Sequence, residues 1–284
     1  MAYGLFGVWS RIIGESFGPF SQNWVRNIVL LLIYGVALLL SRKLWKRIRK
    51  ADIKWLILWG LSGTSTTIFS FIVFNHLPIG TTYIIIYSAT IMGGWLVGWI
   101  FFKEKMNIAK IVAFALVVAG LFTIFSFSIK TNDLPYLFMG LLSGSLTGFW
   151  TAFSKKISGN YSSPQMLFID AIFGITIALF GGLIVGEDLP SFKPDWGWLA
   201  IVGFALTNVV GSNFIVLGFR FVEAQIGSLL MPMEIVFAIV FGFIVFGEKP
   251  SFITLVGGGL IILASIIANL SAHEKSGDKK MDLG

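Results

Sequence analysis

The sequence predicts an all-α polytopic membrane protein whose ten transmembrane helices form two inverted five-helix repeats. Three observations support this fold class. Hydrophobic residues make up 56% of the 284 residues and charged residues only 12%, whereas charged residues account for about 25% of a typical soluble domain. The apolar residues form long blocks without the alternation of outer-membrane strands. Finally, the second half of the chain repeats the first.

Ten apolar blocks approach the length that a helix needs to cross a hydrocarbon core about 30 Å thick. Most connections between them are short, which leaves no room for a soluble domain. The polar tail, 271–284, is expected to be a disordered cytoplasmic segment. In chain order, the predicted spans are 3–14, 22–40, 55–76, 80–102, 108–127, 134–154, 163–185, 196–219, 224–246 and 250–269.

The repeat is evident when the sequence is shifted by 144 residues, because the halves then align without a gap from Ile53 to Asn269. Both halves share a Glu-Lys turn, which ends one helix and opens the next. The predicted domains are therefore 1–130 and 131–270. Because each half contains five spans, the two must cross the membrane in opposite senses, which is typical of transporters. The first helix is short or truncated compared with its counterpart in the second half.

Basic residues orient the bundle. Lysines and arginines crowd the loop 41–54, and the loops and tail on the same side hold most of the others, whereas the opposite side keeps Lys130, Lys193 and Lys249. This positive-inside bias predicts a multi-pass protein of the cytoplasmic membrane with both termini in the cytoplasm. It explains the net charge of +7 better than nucleic-acid binding does. With no cysteine and two histidines, we expect neither a metal site nor a cofactor.

Glu234 is the most informative candidate residue, because it lies in the middle of the apolar block 224–246. An ionisable group at the bilayer midplane usually needs water, a partner charge or a ligand, although a structural hydrogen bond is the competing interpretation. If opening of the cavity ionises the carboxyl group, Glu234 can couple proton release to substrate entry. Pro232 should kink this helix.

Other polar or aromatic residues inside spans are candidate substrate contacts. Tyr83 and Tyr87 share a helical face in the fourth span, and the repeat places that face opposite Met231 and Glu234. Each could instead serve helix packing, and the two tryptophans could be interfacial anchors. Beyond Glu234, the predicted substrate-binding set is Trp9, Tyr83, Tyr87, Trp150, Asn208, Ser212 and Met231.

Two further predictions concern contacts between helices. Arg26 and Asp170 are repeat-equivalent and opposite in sign, so we expect a structural charge pair, formed either directly or through neighbouring residues. Gly140, Gly144 and Gly148 form a small-residue stripe that favours close helix contact. The glycines 257–259 leave a homodimer contact open.

Several motifs together resemble EamA-type members of the drug/metabolite transporter superfamily. They are the aromatic-capped first span at 7–10, Arg26, the FFKEK and VFGEK turns at 101–105 and 245–249, and the run MPMEIVFAIVFGFIVFGEKP at 231–250. The resemblance implies a proton- or gradient-driven carrier, often an exporter of amino acids or related metabolites. A multidrug or lipophilic-cation exporter is the alternative. An intramembrane enzyme is disfavoured because neither an HExxH nor a GxSxG motif occurs, and a channel or scaffold because no ring of charges is evident.

Overall fold

The computed structural model describes residues 2–104, 107–128, 131–191, 195–222, 226–227 and 231–281. Every secondary-structure element in these ranges is helical, as the sequence predicts. We number the α-helices with defined bounds in chain order: α1 Phe6–Gly14, α2 Pro19–Leu40, α3 Ile53–His76, α4 Ile79–Phe102, α5 Ile108–Ser128, α6 Leu134–Ser158, α7 Ser163–Val185, α8 Trp196–Gly218, α9 Glu234–Phe246 and α10 Phe252–Met281.

Five segments are long and apolar enough to cross a membrane: α2, α4, α7, α8 and the segment Lys50–His76 that contains α3. Shorter apolar helical segments lie in α5, α9 and α10. Large apolar side chains also face outward, including Leu40, Ile184 and Phe214 at 83%, 85% and 73% exposure. A soluble monomer rarely exposes so much apolar surface. The chain is therefore a multi-pass membrane protein whose outer face contacts lipid.

The helices pack closely where glycines remove side chains from the contact. The principal neighbours are α4 with α6, α3 with α6, α5 with α10 and α2 with α7. A Cβ atom added to Gly144 would lie 2.0 Å from the Ile86 carbonyl oxygen, and one added to Gly148 would lie 2.5 Å from that of Thr90. The predicted close contact of this small-residue stripe is thus confirmed, with α4 as its partner.

Some interfaces between the helices occur in matching pairs. The contact of α3 with α6 has a counterpart in that of α1 with α8, and α3 meets α7 as α2 meets α8.

The glycines of α10 differ in their surroundings. Gly257 meets α5 inside the chain, because an added Cβ atom at Gly120 would lie 2.6 Å from its carbonyl oxygen. In the described part of the chain, no atom outside the backbone of α10 lies within 4 Å of the Cβ position of Gly259.

Two turns share one backbone geometry. Lys103, which follows α4, has φ of 53°, and Gly247, which follows α9, has φ of 68°. Directly after them, Glu104 N donates to Gly98 O at 3.0 Å and Glu248 N donates to Gly242 O at 3.3 Å. A left-handed residue after a helix allows such bonds to satisfy the last carbonyl groups.

Two sequence-based expectations differ from the structure. The predicted span 224–246 is interrupted, because a 3₁₀ turn at Met231–Met233 precedes α9 and Glu234 is the first residue of that helix. Pro232 explains the break, since proline lacks the N–H group that a continuous helix needs. Ser228, which helical spacing places on the same face as Met231 and Glu234, lies outside the described residues. Moreover, α10 runs to Met281, so most of the tail is helical rather than disordered, since each residue added to a formed helix gains a hydrogen bond.

Candidate functional site

A central cavity lies among α2, α3, α4, α6, α7 and α8. The first turn of the chain, the 3₁₀ turn Ala2–Leu5, lies beside it. The space open to water in it is about 110 Å³, enough for several water molecules. Aromatic side chains and short polar side chains share the wall. Six predicted site residues line it: Tyr83, Tyr87, Trp150, Asn208, Ser212 and Met231.

Glu234 is not among the residues that line the cavity, but one hydrogen bond joins it to the wall. The Tyr87 hydroxyl group donates to Glu234 Oε2 at 2.8 Å, and Tyr87 itself faces the cavity. The position of the carboxylate follows from the break at Pro232, because α9 begins at Glu234 beside α4. A titratable group therefore contacts the cavity through a phenol that can donate to it or accept from it.

A chain of hydrogen bonds joins α4 to α8 across the first turn of the chain. Tyr83 accepts from Gly7 N at 3.1 Å and donates to the Tyr3 carbonyl oxygen. The Tyr3 and Ser212 hydroxyl groups lie 2.7 Å apart, and Ser212 donates to Asn208 Oδ1 at 2.9 Å. The predicted tyrosine, asparagine and serine contacts thus form one polar wall.

The two repeat-related tryptophans lie in different environments. Trp150 faces the cavity and stacks on Trp59, with ring centroids 5.8 Å apart and planes 14° apart. Trp9 does not line the cavity. Its indole instead packs where Gly203 of α8 lacks a side chain, 2.9 Å from the position of an added Cβ atom. The structure therefore places only Trp150 where it could contact a substrate.

Arg26 and Asp170 both line the cavity and their charges act on each other, but in the described part of the chain no direct ion pair joins them. Arg26 Nη2 donates to Asn23 Oδ1 at 2.9 Å, and the guanidinium group lies over the rings of Phe71 and Phe204 at 5.4 and 4.9 Å. Asp170 instead lies next to Trp150, whose indole N–H group interacts with the carboxylate.

Sequence reasoning missed several polar residues of the wall. Asn23 and Asn27 flank Arg26 at helical spacing on α2, and Asn27 Nδ2 donates to Asn23 Oδ1 at 2.7 Å. The spacing of these three residues in an apolar span was a usable signal, because it places them on one face. Thr66 and Thr147 also line the cavity, with hydroxyl groups 3.0 Å apart across α3 and α6. No pattern in the sequence distinguishes them from hydroxyl groups that only bond their own helix.

Ion pairs link helix ends at two places away from the cavity. Arg11 of α1 pairs with Glu248 and donates to the carbonyl oxygens of Phe74 and Leu77. Glu248 also accepts from Ile79 N at 2.7 Å, at the start of α4. The second pair joins Lys155 of α6 to Glu104 at 3.0 Å.

The basic loop between α2 and α3 is tied to the turn before α7. Asp52 Oδ2 accepts from Arg49 Nε at 2.8 Å, from the Tyr161 hydroxyl group at 2.7 Å and from Asn160 at 3.3 Å. The hydrogen bond from Arg49 is the largest cause that lowers the pKa of Asp52 below its usual value, and Tyr161 adds to it. Gln165 Oε1 also accepts from Lys46 N at 3.0 Å, and Gln165 Nε2 donates to Lys46 O at 2.7 Å.

Comparisons with known proteins agree with this architecture. The pseudopaline exporter CntI of Pseudomonas aeruginosa is 22% identical over 247 residues, which cover 83% of this chain and 80% of the exporter. Solute carrier family 35 member G1 of Mus musculus is 24% identical over 223 residues, covering 74% of this chain and 60% of that protein. One solved crystal structure shares the fold, with a TM-score of 0.68 and 15% identity over 96% of both chains.

The family comparison covers nearly the whole chain. The model of the EamA-like transporter family matches residues 1–126 and 134–270, that is, both halves. Together with the exporter and solute-carrier relatives, it identifies a membrane transporter of small metabolites and not an enzyme. The chain belongs to the EamA-like transporter family.

Proposed function

We propose that the chain is a proton-coupled secondary transporter that exports amino acids or related metabolites across the cytoplasmic membrane by alternating access. The observation that carries the proposal is the contact between Tyr87 in the cavity wall and Glu234 behind it, 2.8 Å long. A carboxyl group in an apolar segment changes its charge at a high cost unless water, a partner charge or a ligand compensates. Substrate entry and proton release can therefore influence each other through Tyr87.

Alternating access is supported by features that recur after 144 residues. The ion pair Arg11–Glu248 and the ion pair Lys155–Glu104 occupy repeat-equivalent positions. The left-handed residues Lys103 and Gly247 are equivalent as well, as are the interfaces α3–α6 and α8–α1. Two inverted halves would place these ion pairs at opposite ends of the bundle, where each could close one entrance.

The orientation of the bundle is proposed from its charge. The loop with Asp52 carries most of the basic residues and would face the cytoplasm together with both termini. In that orientation Lys155–Glu104 closes the cytoplasmic end and Arg11–Glu248 closes the outer end. The central cavity then lies between them, as the export of a metabolite requires.

The relatives support export but do not specify the substrate. One relative is named for the export of pseudopaline, and this chain is only 22% identical to it. A lipophilic-cation exporter is the second candidate, because a wall of tyrosine and tryptophan near Glu234 favours cations. The buried guanidinium group of Arg26 in the same wall opposes a purely cationic ligand and favours the first candidate.

The test uses proteoliposomes that enclose a pH-sensitive dye. Addition of a mixture of the L-amino acids to the wild-type protein should move protons, and Glu234→Gln should abolish that movement while exchange of labelled amino acids continues. Glutamine retains the shape of the protonated side chain but cannot titrate. Asp188→Asn, at an exposed acidic residue, is the matched control and should behave as the wild-type protein does.

Two outcomes would contradict the proposal. If Glu234→Gln moves protons as the wild-type protein does, Glu234 is a packing residue and coupling occurs elsewhere. If tetraphenylphosphonium moves protons and the amino acids do not, the second candidate replaces the first.

A further inference from the structure

Two side chains of opposite charge line the central cavity without a direct ion pair between them. Arg26 on α2 is 3% exposed, and Asp170 lies on α7, which packs against α2. Burial of an unpaired charge is costly, so such groups are normally paired in a finished structure. In the described part of the chain, the two side chains form no ion pair with each other, although both line the same cavity.

Arg26 keeps donors for another partner. Its Nη2 bonds the neutral Asn23, whereas Nε and Nη1 are buried without a hydrogen-bond partner. The central carbon of the guanidinium group also lies over the rings of Phe71 and Phe204, at 5.4 and 4.9 Å from their centroids. A buried arginine with unpartnered donors matches a carboxylate, which accepts charge-assisted hydrogen bonds from it.

Asp170 presents the opposite charge beside an indole. Asp170 Oδ1 and Trp150 Nε1 are both buried and lie against Gly63 of α3, at 2.8 and 2.7 Å from the position of an added Cβ atom. The indole N–H group interacts with the carboxylate but carries no charge. Among the described residues, Asp170 therefore has no direct cationic partner, and an ammonium group would supply one.

From this geometry we infer that Arg26 and Asp170 are the two ends of a subsite for a zwitterionic metabolite, with its carboxylate on Arg26 and its ammonium group on Asp170. A molecule with only one charge would leave the other protein charge uncompensated. The aromatic residues Phe74, Tyr83 and Tyr87 on the same wall can accept an apolar side chain. The inference rests on the proposed transport of amino acids or related compounds, and it assigns the recognition of both charged groups to residues other than Glu234.

The test measures binding rather than transport, with thermal shifts of the purified protein in detergent. The twenty protein L-amino acids are screened first. L-leucine and L-phenylalanine are then compared with isoamylamine and phenethylamine, which lack the carboxylate, and with the N-acetyl amino acids, which lack the ammonium group. We expect each singly charged analogue to bind about ten- to a hundredfold more weakly, the range that charge-assisted hydrogen bonds represent.

Two variants should each remove one part of the preference for a zwitterion. In Arg26→Gln, an amino acid and its amine should bind within a few-fold of each other, because the carboxylate has lost its partner. In Asp170→Asn, the amino acid and its N-acetyl derivative should bind with similar affinity, because the ammonium group has lost its partner. Lys54→Gln and Asp188→Asn remove exposed charges, and as matched controls they should keep the wild-type preference.

The stability of the ligand-free variants separates recognition from a structural role. In Asp170→Asn, removal of the charge should leave the melting temperature unchanged or higher, whereas removal of one partner of a structural pair should lower it markedly. The inference is overturned if no amino acid stabilises the wild-type protein, or if both variants keep its preference for the zwitterion. Failure of Glu234→Gln to abolish proton movement would affect the coupling proposal and leave these binding results intact.

Discussion

Gly144 gives a test of how the helix that carries Tyr83 and Tyr87 is positioned. Gly144→Ala adds one methyl group at the contact between α6 and α4. The new Cβ atom would lie 2.0 Å from the Ile86 carbonyl oxygen and 2.7 Å from Ala89 Cβ. The nearest atom belongs to the backbone, so rotation of a side chain cannot relieve the overlap. The two helices must move apart.

The size of the effect follows from that distance. Contacts of a real Cβ atom are essentially never shorter than 3.0 Å, so α4 and α6 must separate by roughly 1 Å at this point. Overpacking of this kind costs about 1–3 kcal/mol, and the better helix propensity of alanine returns about 1 kcal/mol. We therefore expect a net destabilisation of up to about 2 kcal/mol. Binding of amino acids should also weaken, because the tyrosines move away from Trp150.

The assay compares the free energy of unfolding of detergent-solubilised variants. Gly259→Ala is the matched control, since it makes the same substitution in α10 where no described atom outside the helix's own backbone lies within 4 Å. It should be neutral or slightly stabilising. If Gly144→Ala is as stable as Gly259→Ala, the contact is not close-packed and the reasoning is wrong.

Two further predictions concern the basic loop. Tyr161→Phe removes the hydrogen bond to Asp52 and should cost about 1.5 kcal/mol of unfolding free energy at neutral pH. The folded-state pKa of Asp52 is lowered, so its stabilisation is present above the unfolded value of about 3.9 and is lost as the pH falls through the folded value. The difference between Tyr161→Phe and the wild-type protein should therefore shrink in acid, and a constant difference would exclude this linkage. In this cysteine-free chain, a single cysteine introduced in 41–54 should react with an impermeant maleimide only from the cytoplasmic side, and one in 187–195 only from outside. Labelling of both from one side would contradict the inverted halves.

Part of the site could be predicted because polar residues in an apolar segment stand out in a sequence. Helical spacing and the repeat predict that the face with Tyr87 lies opposite the face with Glu234, and the two side chains share a hydrogen bond. Trp9 could not be separated from Trp150 in this way. The repeat makes them equivalent, whereas the packing of α1 against Gly203 turns Trp9 away from the cavity. Such a difference depends on the distances between helices, which no periodicity encodes.

The sequence by itself determined the helical membrane class, the approximate limits of the spans and the repeated Glu-Lys turns. Hydropathy, proline and charge act locally, so each is visible in a short window of residues. Only the tertiary structure decided that Arg26 and Asp170 face one cavity without pairing, because that outcome depends on how α2 and α7 meet and on the rings that hold the guanidinium group. Whether two such charges bond each other or stay available to a ligand depends on three-dimensional packing. Opposite charges at repeat-equivalent positions in a sequence do not specify that packing.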